Sequence, residues 1–183
     1  HPDARGNRVL HALAASYAKG AEAAGREVRV IDVARLDFPL LRTQEDWRAG
    51  KAPASLAPAQ EAIAWAEHLV ILYPLWLGTM PALVKGFLEQ VLRPGFALGE
   101  SEKGLPRGLL AGRSARVVIT MGMPALVYRW FFRAHSLKSL ERNILRFCGI
   151  GPVRETLLGT VEGGAARREK WLAQLAELGR AGK

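Results

Sequence analysis

Cysteine is nearly absent from the 183 residues: Cys148 is the only one. That excludes a disulfide framework and a cysteine-rich metal centre. Set between Phe147 and Gly149, it reads as a small core residue in a reducing, cytoplasmic compartment. The four histidines are dispersed, so no metal site is expected. Long apolar runs are also missing. The longest uncharged stretch, Leu69 to Val84, is broken by Pro74, Gly78 and Pro81. It falls short of the ~18 apolar residues that suggest a membrane span, so no integral membrane segment is expected. There is no GxGxxG pattern and no glycine-lysine phosphate loop, which argues against a dinucleotide-type dehydrogenase and a nucleotide triphosphatase. No Ser-His-Asp set or paired-carboxylate pocket is evident, and Glu100 and Glu102 sit in an irregular stretch.

Acid is scarce relative to base. Seventeen Asp and Glu against 26 Lys and Arg leave a net charge of +9. The cations are scattered and not gathered in one run, so nucleic acid is not an expected partner. What is abundant is ordinary core material, 49% hydrophobic residues. A chain of this length buries about 70% of its unfolded surface, and we expect a single domain over 1–183.

Leu10, Leu13, Ala14, Tyr17 and Ala21 recur at helical spacing, with Asn7 as N-cap and Gly25 as stop, and predict a helix over about 8–24. Val28, Val30, Ile31 and Val33 predict a short strand. Pro58 opens a second helix through Ile63 and Trp65. His68-Leu69-Val70-Ile71-Leu72-Tyr73 predicts a strand buried on both faces. A helix capped by Thr79 follows, with Leu83, Val84, Phe87, Leu88 and Val91 as its stripe, and Arg93-Pro94-Gly95 stops it. Arg116 to Thr120 predicts another strand. Then come a long helix with Leu137, Leu140, Ile144 and Phe147 or Cys148 on its apolar side, a last strand near 153–161, and a C-terminal helix around Trp171 and Leu175. Strands alternating with helices at this spacing predict a parallel sheet wrapped on both faces, an α/β doubly wound fold in three αβα layers. Residues 1–7 read as a strand-to-helix loop, so a hydrophobic strand is expected upstream of His1.

Ligands in such a sheet bind beyond the carboxyl ends of the strands, which directs attention to three loops. Residues 1–7 lead into a helix N-terminus, where free N–H groups and Arg5 and Arg8 suit a phosphate. Residues 73–81 bring two prolines, Gly78 and Trp76 to the mouth of the sheet, a surface suited to a flat heterocycle. Thr120-Met121-Gly122-Met123-Pro124 faces it, and Gly122 lets a ligand approach the backbone closely. Tyr128 and His135 are the nearby side chains with a plausible proton role.

At these loops the chain resembles the flavodoxin-like NAD(P)H:quinone oxidoreductases, the group containing DT-diaphorase, the modulators of drug activity and the ancillary oxidoreductases of glutathione-gated potassium efflux. The blocks that carry the resemblance are Tyr73-Pro74-Leu75 through Met80-Pro81-Ala82 to Lys85-Gly86-Phe87, then Gly95-Phe96-Ala97, Thr120 to Gly122, and Ile144 to Gly149. It implies a strand order 2-1-3-4-5 with the first strand upstream of His1. It also implies a flavin, FMN or FAD, along Pro74, Leu75, Trp76, Leu77, Gly78, Thr120, Met121, Gly122 and Met123, with its phosphate at His1, Arg5 and Asn7. Three departures stand out: Arg5-Gly6 replaces a serine-bearing stretch, Met123 replaces the second glycine of the family's turn, and the spacing from Tyr128 to His135 is one residue longer than in the diaphorases. The activity implied is ping-pong hydride transfer from NADPH or NADH to a quinone, with Tyr128 and His135 in catalytic roles. Trp76 and Phe96 would shape the pocket. A homodimer, peripheral docking to a transporter as a regulatory subunit, and a one-electron carrier role are the further readings the resemblance leaves open.

Overall fold

The computed structural model describes residues 1–6, 8–99 and 106–183. Asn7, Glu100 and Glu102, all weighed above, lie outside the described residues. Helix α1 (Val9–Ala23) ends where Gly25 turns to φ +77°, as its sequence predicts. Short helical turns and α2 (Gln44–Arg48) follow, then α3 (Ala57–Trp65) with a proline in its first turn. The sheet strands are β1 (His68–Pro74), β2 (Ser114–Thr120) and β3 (Val153–Leu158), parallel and ordered β1-β2-β3. Between them run α4 (Ala82–Val91), α5 (Ala125–Trp130) and α6 (His135–Ser139), and α7 (Ala165–Ala181) closes the chain.

Side-chain alternation sorts the two faces of the sheet. Ala115, Val117 and Ile119 join Tyr73, Val84, Phe87, Leu137 and Leu140 in one core. Val118 and Leu158 join Leu13, Tyr17, Ala21 and Leu175 under α1 and α7 in the other. This is the three-layer αβα arrangement read from the sequence. Its three strands correspond to the last three of the expected order. Residues under α1 and α7 are held close by glycine: a Cβ on Gly20 would lie 2.0 Å from the Ala176 carbonyl oxygen, and one on Gly179 2.1 Å from that of Tyr17.

Four expectations need correction. Residues 28–32 form no strand and Val33 opens a short helical turn; the β-branched run has no ladder partner among the described residues, and β-propensity without pairing does not make a strand. β1 is half-buried over His68 to Leu72 and not enclosed, because among the described residues it pairs only with β2. Thr79 does not cap α4, whose N-cap is Pro81; its N–H bonds instead to the Trp76 carbonyl at 3.0 Å. The long helix after β2 is broken, since Arg133 and Ala134 take φ +53° and +47° and the winding loosens to a π-type stretch over Leu140–Leu145. A π stretch inserts an extra residue per turn and shifts the apolar register.

Cations enter the sheet itself. Arg116, 6% exposed on β2, donates to Thr156 Oγ1 at 2.7 Å and to the Glu155 carbonyl at 3.2 Å. Beside it His68 Nδ1 is 2.7 Å from Ser114 Oγ. Burial, reinforced by Arg116 and Arg154, lowers the His68 pKa. The unfolded chain therefore binds a proton more readily than the folded one. The stabilising contribution is intact above the unfolded value of about 6.5 and is lost as pH falls toward the folded value. Urea unfolding between pH 7.5 and 5 is expected to show stability falling with acid, and His68→Asn to flatten that fall.

Candidate functional site

The carboxyl ends of the three strands converge because the ladder continues past them. Leu75 N–H donates to the Thr120 carbonyl at 2.8 Å, and Met121 N–H to that of Leu158 at 2.9 Å. The loops after β1 and β2 are thus held side by side, as expected of Pro74, Leu75, Thr120 and Met121. Thr160 and Val161 N–H groups bond back to the Met123 and Met121 carbonyls at 3.0 and 3.1 Å, adding the loop after β3 as a third wall. That wall was not anticipated, although Gly159-Thr160 directly after a strand was the available signal. Gly159 has no room for a side chain: its Cβ would fall 2.2 Å from Ala125 N.

Trp76, Leu77, Gly78 and Thr79 form a two-residue hairpin. Trp76 and Thr79 exchange N–H···O bonds at 2.9 and 3.0 Å, with Leu77 at φ +47° and Gly78 at +80°. Leucine in the left-handed region costs roughly 1–2 kcal/mol, and its side chain is fully exposed. Trp76 is 47% exposed, so the turn offers an apolar wall to solvent. Nothing lies within 4 Å of a Cβ placed on Gly78 or Gly122. The N–H groups of Leu77, Gly78, Gly122 and Met123 donate to no other described residue. Four free amides around open glycine backbone can receive the carbonyl and nitrogen edge of a planar heterocycle.

The first loop folds onto this turn. The His1 ring meets Trp76 edge-on at 5.6 Å and lies 5.9 Å from the His11 ring. His1 Nδ1 accepts from Asp3 N–H at 3.0 Å. His11 has both ring nitrogens buried without a partner among the described residues, a feature the sequence reading missed. Arg5 and Arg8 converge on Asp3, at 2.7 and 2.8 Å. Hydrogen bonds from Arg5, and then from Arg8, hold the Asp3 carboxyl well below the usual carboxylate range. A cleft of about 500 Å³ between α1 and α7 carries Gly6, Arg8, His11 and Arg168.

Tyr128 is buried, 2% exposed, in the core that holds Tyr73. Its hydroxyl is 2.7 Å from Ser136 Oγ and accepts from Leu137 N–H at 3.1 Å. His135 is exposed at the start of α6, next to the residues Tyr128 fixes. Phe96 is half-buried against the core. Cys148 is buried and its thiol is pushed up to about 11, which disqualifies it as a nucleophile.

A parallel sheet opening glycine-bearing loops at its carboxyl edge is a ligand-binding arrangement of the doubly wound class. The family model of the flavodoxin-like fold matches residues 1–180, and the chain belongs to that family. A Haemophilus influenzae protein named as an uncharacterised NAD(P)H oxidoreductase is 32% identical over 134 residues, 71% of this chain and 66% of that protein. An FMN-dependent NADH:quinone oxidoreductase of Nitratidesulfovibrio vulgaris is 29% identical over 178 residues, 85% of this chain and 81% of that one. The crystal structure of a Streptococcus mutans UA159 protein matches with a TM-score of 0.84 at 26% identity, covering 99% of this chain and 95% of that one. The kinship read from the Tyr73 to Phe87 and Ile144 to Gly149 blocks therefore holds. Among the described residues no helix is long and apolar enough to cross a membrane.

Tyr128→Phe removes the acceptor of a buried N–H, that of Leu137. It is expected to destabilise the fold by about 1–3 kcal/mol, read as a lower urea midpoint at unchanged slope.

Proposed function

We propose that this chain is a flavin-dependent NAD(P)H:quinone oxidoreductase in which donor and acceptor use one slot in turn, a ping-pong scheme. The observation that carries the reading is that the Leu75–Thr120, Met121–Leu158 and Thr160–Met123 bonds tie the loops after β1, β2 and β3 together, with the N–H groups of residues 77, 78, 122 and 123 bonded to no other described residue. The residues fit a flavin. Pro74, Leu75, Trp76, Leu77 and Gly78 would hold one edge of the ring system, Thr120, Met121, Gly122 and Met123 the other, and the 1–7 loop with His1, Arg5 and Asn7 the phosphate end. When bound, the flavin supplies two-electron hydride chemistry.

The chain's own part is binding, orientation and proton supply. Free N–H groups at 122 and 123 stabilise negative charge on a bound ring. Trp76, half-exposed on the turn, offers an apolar wall to a bound ring. His135, exposed at the start of α6, would deliver a proton toward a reduced quinone oxygen. Tyr128 holds the turn from His135 to Leu137 in place through its bonded hydroxyl, and with Ser136 offers a hydroxyl pair along which a proton can pass. The exposed apolar side chains of Leu126, Val127, Trp130, Phe131 and Phe132 support a homodimer that covers them. The name of the Nitratidesulfovibrio relative supports FMN and NADH as the pair to try first, with FAD and NADPH beside them.

The test is an absorbance spectrum and the mass of released cofactor, followed by anaerobic addition of NADH or NADPH and then a quinone. Bleaching of the visible flavin band and its return with quinone are expected; a colourless protein that rejects FMN and FAD overturns the reading. His135→Asn is expected to slow quinone turnover by about 100-fold while sparing flavin affinity. Unchanged turnover would remove His135 from the mechanism.

A further inference from the structure

The far end of α4 carries a second cleft that the flavin reading does not use. It has a volume of about 470 Å³, and the lining includes Arg42, Asp46, Lys51, Gln90 and Arg93. With α4 ten residues long, about 15 Å of helix separates this end from the loop that carries Trp76. Three cations face it against the one carboxylate of Asp46.

Two of its polar residues are buried and incompletely bonded. Arg93 is 4% exposed, and its Nε and Nη1 have no hydrogen-bond partner among the described residues. Its guanidinium sits over the Trp47 ring, 5.8 Å from the centroid. Gln90, 3% exposed, donates through Nε2 to the Pro39 carbonyl at 2.7 Å and leaves Oε1 without a partner among the described residues. A guanidinium stays charged at any physiological pH, and a buried charge calls for a counter-charge. An unsatisfied amide oxygen calls for a donor. The position of Arg93 just past the carboxyl end of α4 favours its charge, while Nε and Nη1 meet no acceptor among the described residues.

We infer that this cleft binds a small hydroxylated organic anion, a carboxylate or a phosphate ester. Its charged group pairs with Arg93, backed by Arg42 and Lys51, and its hydroxyl donates to Gln90 Oε1. Bidentate pairing with a guanidinium suits either oxyanion. Pro39, Leu40 and Pro53 form the apolar part of the wall.

The test uses the full chain with flavin added in excess, so that the loop site is filled if it binds flavin. Citrate and glycerol 3-phosphate are titrated by calorimetry and by the indole N–H signal of Trp47, assigned with Trp47→Phe. Tricarballylate, which is citrate without the hydroxyl, serves as the comparator. Binding of either hydroxylated anion with a Trp47 shift is expected, weaker for tricarballylate and weakened by about tenfold or more in Arg93→Gln. Because Arg93→Gln removes a buried side chain, Arg42→Ala and Lys51→Ala at the exposed rim provide the second reading, each lowering affinity several-fold. Absence of heat and of a Trp47 shift at millimolar probe overturns the inference, as does binding insensitive to all three substitutions. Binding that appears only in a Glu100→Gln, Glu102→Gln double variant also overturns it, by showing that the chain supplies its own counter-charge. None of these outcomes depends on flavin chemistry, so the inference and the proposed function fail separately.

Discussion

The parallel ladder through β2 is the constraint on which the rest depends. β2 pairs with β1 over seven positions and with β3 over six. Its bonding does not stop where the strands end: Leu75 to Thr120 and Met121 to Leu158 carry the pattern into the loops. A loop anchored at its first residue by a sheet hydrogen bond loses little further entropy on binding a ligand, because the sheet has already ordered it. The rigidity of the candidate site is in this sense a property of the strand register. A slip of one residue would turn Val117 and Ile119 to the other face and move both loop anchors at once.

Covering the sheet imposes a second demand, met differently on its two faces. On one, long side chains of α4 and the 137–150 region fill the space; on the other, α1 and α7 pack so closely that Gly20 and Gly179 have no room for a Cβ. The close face also accommodates Arg116, a cation in a central strand. Its hydrogen bonds to Thr156 and Glu155 offset part of the cost of burying it, and charge-assisted bonds of this kind are the stronger class.

The sequence was legible where local signal and tertiary pairing agree. Helix α1 with Gly25, strands β1 and β2, and the loops at 74–78 and 120–123 all follow from periodicity and turn chemistry that the fold does not override. Residues 28–32 misled because β-branched composition reports propensity and says nothing of a partner. Thr79 misled because its sequence position suits a cap, whereas the Trp76–Thr79 hairpin takes its N–H. The break at Arg133 and Ala134 has no glycine or proline to announce it. Arg93 and Gln90 drew no notice as a pair, since in sequence they are only the frayed end of a helix, and their burial comes from a segment 40 to 50 residues earlier.

Backbone strain is distributed in a way that follows the same logic. The non-glycine residues at positive φ, among those described, are Leu77, Arg133, Ala134 and Thr160. Each follows the carboxyl end of a strand, after β1, after β2 and its short helix, or after β3. Strained conformers persist only where surrounding structure over-determines them. Here the over-determination is visible in the exchanged bonds of Trp76 and Thr79, the Tyr128 carbonyl accepting from Ala134 N–H at 3.0 Å, and Thr160 N–H held by Met123. The cost is concentrated at the edge where the loops converge; among the described residues, α4 and the stretch from it to β2 carry no positive-φ residue other than glycine. A fold that gathers its strained residues at one edge of its sheet, and fixes that edge through the ladder, keeps that loop backbone in one conformation.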